Sequence, residues 1–166
     1  PALLVNHLET IRSYSKKTRR ALDVLIIDDG SPPGLDAATF VTPLHAVGLH
    51  SLKVVAIAED LAWNIGGARN LAFHLASTTR VLLLDADTVF SSEMIEATMA
   101  LPHHASRGNH SIPVMHKFNR RRPSGELVPH PAAMLIGVAQ YWQAGACDED
   151  FVGHYGYTDV HFTHRA

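Results

Sequence analysis

The stretch Leu22-Asp23-Val24-Leu25-Ile26-Ile27-Asp28-Asp29-Gly30-Ser31-Pro32-Pro33-Gly34 decides the fold. Its near-continuous apolar run over Leu22–Ile27, cut off by acidic, glycine and proline residues, predicts a buried strand that ends in a loop. The same grammar recurs downstream. Leu52 to Ala58 predicts a second strand, and Val81 to Leu84 a third that stops at Asp85-Ala86-Asp87. Between them, Leu35 to Val47 and Ile65 to Ser77 have helical character, and Leu3, Leu4, His7, Leu8 and Ile11 follow helical spacing in a segment read as one helix over 2–18. Alternation of this kind implies an α/β fold with right-handed crossovers and a mostly parallel sheet, whose ligands gather beyond the carboxyl ends of the strands.

The chain then changes character. Ser91-Ser92-Glu93 can cap a helix reaching about Leu101, after which Pro102 to Pro131 reads as irregular, with one short strand near Ile112 to Phe118. Ala132 to Val138 predicts a strand, Ala139 to Ala144 a short helix, and Thr158 to Arg165 the start of another. A doubly wound sheet ordinarily opens with a strand, whereas this chain opens with a helix. The expectation is therefore one domain over 1–166, lacking its first strand and truncated at one or both ends.

The chain has 166 residues, 46% hydrophobic and 18% charged, which excludes disorder and collagen-like structure. A chain this long buries roughly 70% of the surface that it exposes when unfolded. A formal charge of -2 gives no global basic field, so neither nucleic acid nor a membrane surface is an expected partner. No run approaches the roughly 20 apolar residues of a membrane span. The lone Cys147 forms no intrachain disulfide, and the compartment stays open between cytoplasm and Golgi lumen. Twelve histidines would carry the formal charge from -2 to +10 if all were protonated.

The chemistry-bearing residues fall at strand ends. Asp85 and Asp87, two apart after a strand, can converge on a hard divalent cation, or they form a polar turn capped by Thr88. Asp28 and Asp29 can accept hydrogen bonds from a base or ribose, or serve an ordinary turn. Asn64-Ile65-Gly66-Gly67-Ala68-Arg69-Asn70 opens a helix, where free N–H groups, close backbone approach at Gly67 and the cation of Arg69 suit phosphate. It also reads as a turn before a core helix, and it matches neither a P-loop nor a dinucleotide fingerprint.

Taken in order, Ile26 to Ser31, Asn64 to Asn70, Leu83-Leu84-Asp85-Ala86-Asp87 and Gly153-His154-Tyr155-Gly156-Tyr157-Thr158-Asp159 resemble the inverting GT-A glycosyltransferases of the large family 2 group, over nearly the whole chain. The resemblance implies a three-layer α/β/α domain, a nucleotide-sugar donor linked to UDP or GDP, a saccharide or other hydroxyl acceptor, and Mn²⁺ or Mg²⁺. It implies nucleoside contacts for Asp28 and Asp29, diphosphate contact for Arg69, metal ligation at Asp85 and above all Asp87, and a catalytic base in Asp159. Thr158 stands where that family usually has Glu, and His161 where a further acid is common.

Three other readings compete. Leu84-Asp85-Ala86-Asp87-Thr88-Val89 also fits the nucleophile motif of haloacid-dehalogenase-like phosphatases, acidic strand ends occur in response-regulator receivers, and a degenerate glycosyltransferase-like domain would bind nucleotide poorly. His103, His104, His110 and His116 read as solvated loop histidines, Arg120-Arg121-Arg122 as a solvated charge run, and Tyr141 and Trp142 as core. Tyr155 and Tyr157 are candidates for stacking on a sugar ring.

Overall fold

A computed structural model describes residues 2–32, 41–107 and 110–166. The deciding stretch forms β1 (Asp23–Asp29), which pairs in parallel with β2 (Ser51–Ile57) in the register Val24 to Leu52 through Asp29 to Ile57. Of the helix expected between them, α3 (Val41–His45) is present, and residues 35–40 of that expectation lie outside the described residues. The helix expected over 2–18 is two helices, α1 (Ala2–Ser13) and α2 (Lys16–Arg20). Ser15 divides them because its Oγ accepts the Thr18 N–H at 3.0 Å, an N-cap that restarts the helix. The break turns Tyr14 inward, where its hydroxyl donates to the Phe90 carbonyl at 2.6 Å.

α4 (Ile65–Leu75) leads into β3 (Arg80–Leu83), and α5 (Ser92–Met99) follows, capped by Ser91. From here the sheet departs from the expected three-layer, mostly parallel arrangement. The segment read as irregular holds β4 (His104–Arg107), β5 (His110–Pro113) and β6 (His116–Arg121), and β7 (Leu127–Gly137) is longer than the expected strand. β4 and β5 form an antiparallel hairpin, while β7 lies between β3 and β6 and runs antiparallel to both. Among the described residues, parallel pairing is confined to β1 and β2. For the hairpins the physical reason is connection length: β6 and β7 close through a short turn, Arg122–Glu126, whereas parallel pairing needs a long crossover; the antiparallel β3–β7 pair is joined by a long connection and has a different origin. The fold remains α/β. β1 and β3 are not paired with each other, yet Ile26 and Leu82 pack on one apolar cluster with Leu8, Ile11 and Ile95.

A second cluster holds the carboxyl half together. Tyr141 on α6 (Val138–Gln143) is fully buried, stacks on Phe73 of α4 with centroids 3.6 Å apart, and packs against Phe162 of α7 (Thr158–Arg165) at 4.8 Å. Its hydroxyl donates to Asn70 Oδ1 at 2.6 Å and accepts the Cys147 N–H at 3.1 Å. Burial pushes the Tyr141 phenol far above its ordinary pKa, so it stays a neutral donor. Trp142, expected in the core, is instead half exposed on the outside of Tyr141. No helix among the described residues is long and apolar enough to cross a membrane.

Because the stacked pair ties α4 to α6 and α7, Phe73→Ala is expected to cost about 3–5 kcal/mol of folding free energy in urea unfolding monitored by circular dichroism. A loss below 1 kcal/mol would mean that this cluster does not organise the carboxyl half.

Candidate functional site

The site begins where β1 ends. Asp28 is buried and its Oδ1 accepts the Ser31 N–H at 3.1 Å, closing a turn through Gly30 at φ +81°. A Cβ at Gly30 would also lie 2.8 Å from Asp60 Oδ1, so the turn needs glycine. Asp29 is exposed, and its Oδ1 accepts from Asn64 Nδ2 at 3.2 Å. Asn64, buried at the N-cap of α4, lays its side chain over Gly67, where a Cβ would fall 2.3 Å from Asn64 Oδ1. Gly67 thus carries a packing constraint: it leaves room for the asparagine that reaches the acid at the end of β1.

Five residues along α4, Arg69 is 4% exposed and spans two acids. One terminal nitrogen donates to Asp85 at 3.0 Å and the other makes a short contact with Asp159. Burial disfavours the guanidinium charge, but Asp159 and Asp85 outweigh that cost and hold its pKa above the ordinary arginine value. Asp85 closes β3 and Asp159 sits in the first turn of α7, so one planar side chain joins acids that lie far apart in the sequence. Thr158, buried beside Asp159, packs its methyl toward Gly66. A residue in that position faces α4, where a long Glu side chain would not fit in the same way.

Asp87 lies on the exposed side of the turn after β3. Its Oδ1 accepts from the Thr88 hydroxyl at 3.1 Å, and the turn is closed by Thr88 N–H to the Asp85 carbonyl at 2.9 Å. His7 of α1 contacts the Ala86 carbonyl at 3.0 Å, so the amino-terminal helix braces the same turn. Beside Asp87 opens a cleft of about 430 Å³ that Phe90 and Phe118 line with apolar surface and Arg120, Arg121 and Asn119 with polar surface. Arg120 and Arg121 stand on β6, not in a loop as expected, and Arg122 pairs with Glu126 across the exposed turn.

The residues expected at the site therefore form two groups along α4: Asp29 with Asn64 and Gly67, and Arg69 with Asp85 and Asp159. Asp28 supports the first group from below, and Asp87 stands two residues from the second. The glycosyl transferase family 2 profile matches residues 6–136. The chain belongs to that family. No curated protein matches the chain significantly. Family 2 membership makes the general activity glycosyl transfer from a nucleotide-sugar donor to an acceptor, and it sets the chain apart from the phosphatases and receivers whose motifs overlap the Leu84–Val89 segment.

Divalent cations are common in family 2, and the donor set here is suited to one. Asp85 and Asp87 offer hard oxygen donors, and among the described residues the second oxygen of each makes no hydrogen bond. No group of three or more His, Cys, Asp or Glu side chains converges among the described residues. Two carboxylates suffice for Mg²⁺ or Mn²⁺ when phosphate oxygens and waters complete the shell.

Two further members of this region carry little signal in the sequence. Asn70 donates to the Cys147 carbonyl at 3.0 Å and to Glu149 at 2.7 Å, tying α4 to the loop before α7. Lys117 on β6 donates to the Pro131 carbonyl at 2.6 Å; burial lowers its pKa while Asp159 pulls it back up. Only the odd placement of a lysine between Met115 and Phe118 could have pointed to it.

Arg69→Met would remove the cation that two acids share. The expected cost is about 3 kcal/mol in chemical denaturation, and Arg69→Lys should recover only part of it because an ammonium cannot bridge both carboxylates in one plane.

Proposed function

We propose that this chain transfers a sugar, with inversion, from a UDP- or GDP-linked donor to the hydroxyl of a saccharide or similar acceptor, using Mn²⁺ or Mg²⁺ held at Asp85 and Asp87. The observation that supports this most directly is Arg69, whose guanidinium links the acid after β3 to the acid that opens α7. A metal-side carboxylate and a base-side carboxylate are thereby held against one planar cation. The same reading takes the β1–β2 pair and the β3–β7–β6 sheet as parts of one GT-A sheet within a single domain.

In this reaction Asp159 accepts the proton of the acceptor hydroxyl. The acceptor oxygen bonds to the anomeric carbon as the bond from that carbon to the diphosphate oxygen breaks, and the electron pair leaves with the diphosphate. When bound, a divalent cation offsets the charge that gathers on that leaving group. Arg69 keeps Asp159 and Asp85 in place while charge shifts, and Asp29, with Asn64 over Gly67 and Asp28 beneath, presents acceptors to the nucleoside. Trp63, 58% exposed, and Tyr155, 76% exposed, stand with ring centroids 4.9 Å apart. Such faces suit the apolar side of an acceptor sugar ring. The cleft beside Asp87 gives room for a saccharide.

A thermal-shift series with UDP, GDP and their sugar conjugates, with and without Mn²⁺, tests the donor site. A nucleotide at 100 times its Kd should raise stability by about 2.7 kcal/mol, only with Mn²⁺ present, and Asp87→Asn should abolish that shift. Asp159→Asn should retain the shift and lower kcat by about 10²- to 10⁴-fold. Absence of any metal-dependent shift would leave a family 2 domain without a donor site, and full activity in Asp159→Asn would place the base elsewhere.

A further inference from the structure

His130 lies on β7, far in sequence from any motif of the site, and it is buried. Its position follows from the sheet. β3 and β7 pair antiparallel with Leu83 opposite Met134, and His130, four residues before Met134, meets Thr88 in the turn that follows β3. The ring makes three hydrogen bonds. Nδ1 faces the N–H groups of Ala132 at 3.1 Å and Ala133 at 2.9 Å, and Nε2 lies 2.9 Å from the Thr88 hydroxyl.

These contacts determine where every proton sits. Two backbone donors aimed at Nδ1 require a lone pair there, and a neutral imidazole with a bare Nδ1 carries its hydrogen on Nε2. Nε2 must then donate to Thr88 Oγ1. That leaves the Thr88 hydroxyl hydrogen for Asp87 Oδ1, at 3.1 Å, since a carboxylate only accepts. The chain of donation runs one way, from the β7 backbone through His130 and Thr88 to Asp87. One carboxylate oxygen is thus committed, and the other makes no hydrogen bond among the described residues.

We propose that His130 is a positioning residue for cation binding: through Thr88 it fixes the rotamer of Asp87 and keeps that carboxylate's second oxygen free for a divalent ion. This inference rests on the reading of Asp87 as a metal ligand given above. Partners that orient a metal-ligating carboxylate commonly change affinity by about 10- to 100-fold when removed.

The substitutions separate the relay from simple packing. Thr88→Val keeps the shape and removes the hydroxyl, whereas Thr88→Ser keeps the hydroxyl. His130→Asn places an acceptor close to where Nδ1 meets Ala132 and Ala133 but withdraws the donor to Thr88. The probe is Mn²⁺ alone, followed by the relaxation enhancement of solvent water protons. The expected result is that Asp87→Asn loses binding, Thr88→Val and His130→Asn each weaken it about 10-fold or more, Thr88→Ser binds like the native protein, and the Thr88→Val/His130→Asn pair is no weaker than Thr88→Val. Long-range ¹⁵N spectra of the native protein should show the His130 hydrogen on Nε2. If Asp87→Asn loses Mn²⁺ while Thr88→Val binds normally, or if the hydrogen is on Nδ1, the relay is overturned and the metal site stands. If Asp87→Asn binds Mn²⁺ as the native protein does, the metal reading falls and the relay's role falls with it. Should His130→Asn fail to fold, the Thr88→Val and Thr88→Ser comparison decides the matter.

Discussion

The bridge from Arg69 to Asp85 and Asp159 is the constraint on which the site depends. An arginine 4% exposed is tolerable only with its charge compensated, and compensation here requires two acids from separate elements to arrive together. β3 must end beside α4, and α7 must begin there. The aromatic cluster of Phe73, Tyr141 and Phe162 sits on α4, α6 and α7, shares α4 and α7 with this network, and supplies apolar burial that offsets the desolvation of the guanidinium. Polar and apolar organisation are therefore the same problem in this half of the molecule. Asn70 shows the join, since it follows Arg69 directly on α4 and serves the Tyr141 hydroxyl, the Cys147 backbone and the Glu149 carboxylate.

Parts of this arrangement are legible in the amino-acid order. Leu22–Ile27 and Val81–Leu84 are apolar runs closed by acids, and a strand ending in a turn satisfies both features, although the apolar residues of β1 and β3 are half-buried where full burial is expected. Asp28, Asp29, Asp85 and Asp87 announce their location for that reason. Asp159 is legible only through the resemblance of Gly153–Asp159 to the family motif. The antiparallel strands are not. β4, β5 and β6 are built from His-Ala-Ser-Arg, His-Ser-Ile-Pro and His-Lys-Phe-Asn-Arg-Arg, with no clean apolar alternation, because two of them form a hairpin of their own and the third lies at a sheet edge. The pairing of β6 is decided by β7, whose Ala132–Ile136 run is buried and accepts β3 on one side and β6 on the other. Sequence patterning reports burial of a strand's own face; it carries no information about a neighbour chosen by another strand.

Gly67 illustrates a different limit. In sequence a glycine at a helix start reads as a phosphate cradle or as a turn. In the folded chain its lack of a side chain makes space for Asn64, which in turn reaches Asp29. The residue acts on the site through a neighbour, and such action leaves no local pattern. His130 belongs to the same class, since it reaches Asp87 only through the Thr88 hydroxyl. Thr158 is the reverse case: what reads as the loss of an acid is, in three dimensions, a buried contact with Gly66 that closes the approach of α7 to α4.

The charge arrangement explains why Asp85 and Asp87 are not equivalent. Asp85 is 34% exposed and already shares the Arg69 cation with Asp159, so its attraction for a second cation is partly spent. Asp87 accepts its hydrogen bond from a neutral hydroxyl and meets no cation in that contact. In the proposed reading, a divalent ion would therefore meet the stronger field at Asp87 and a weaker one at Asp85. Arg69 in the same position sets an upper limit on how negative the pair becomes. Two bare carboxylates two residues apart would repel each other, whereas one compensated acid beside one uncompensated acid can coexist in the absence of any ion and still offer two oxygens when an ion arrives.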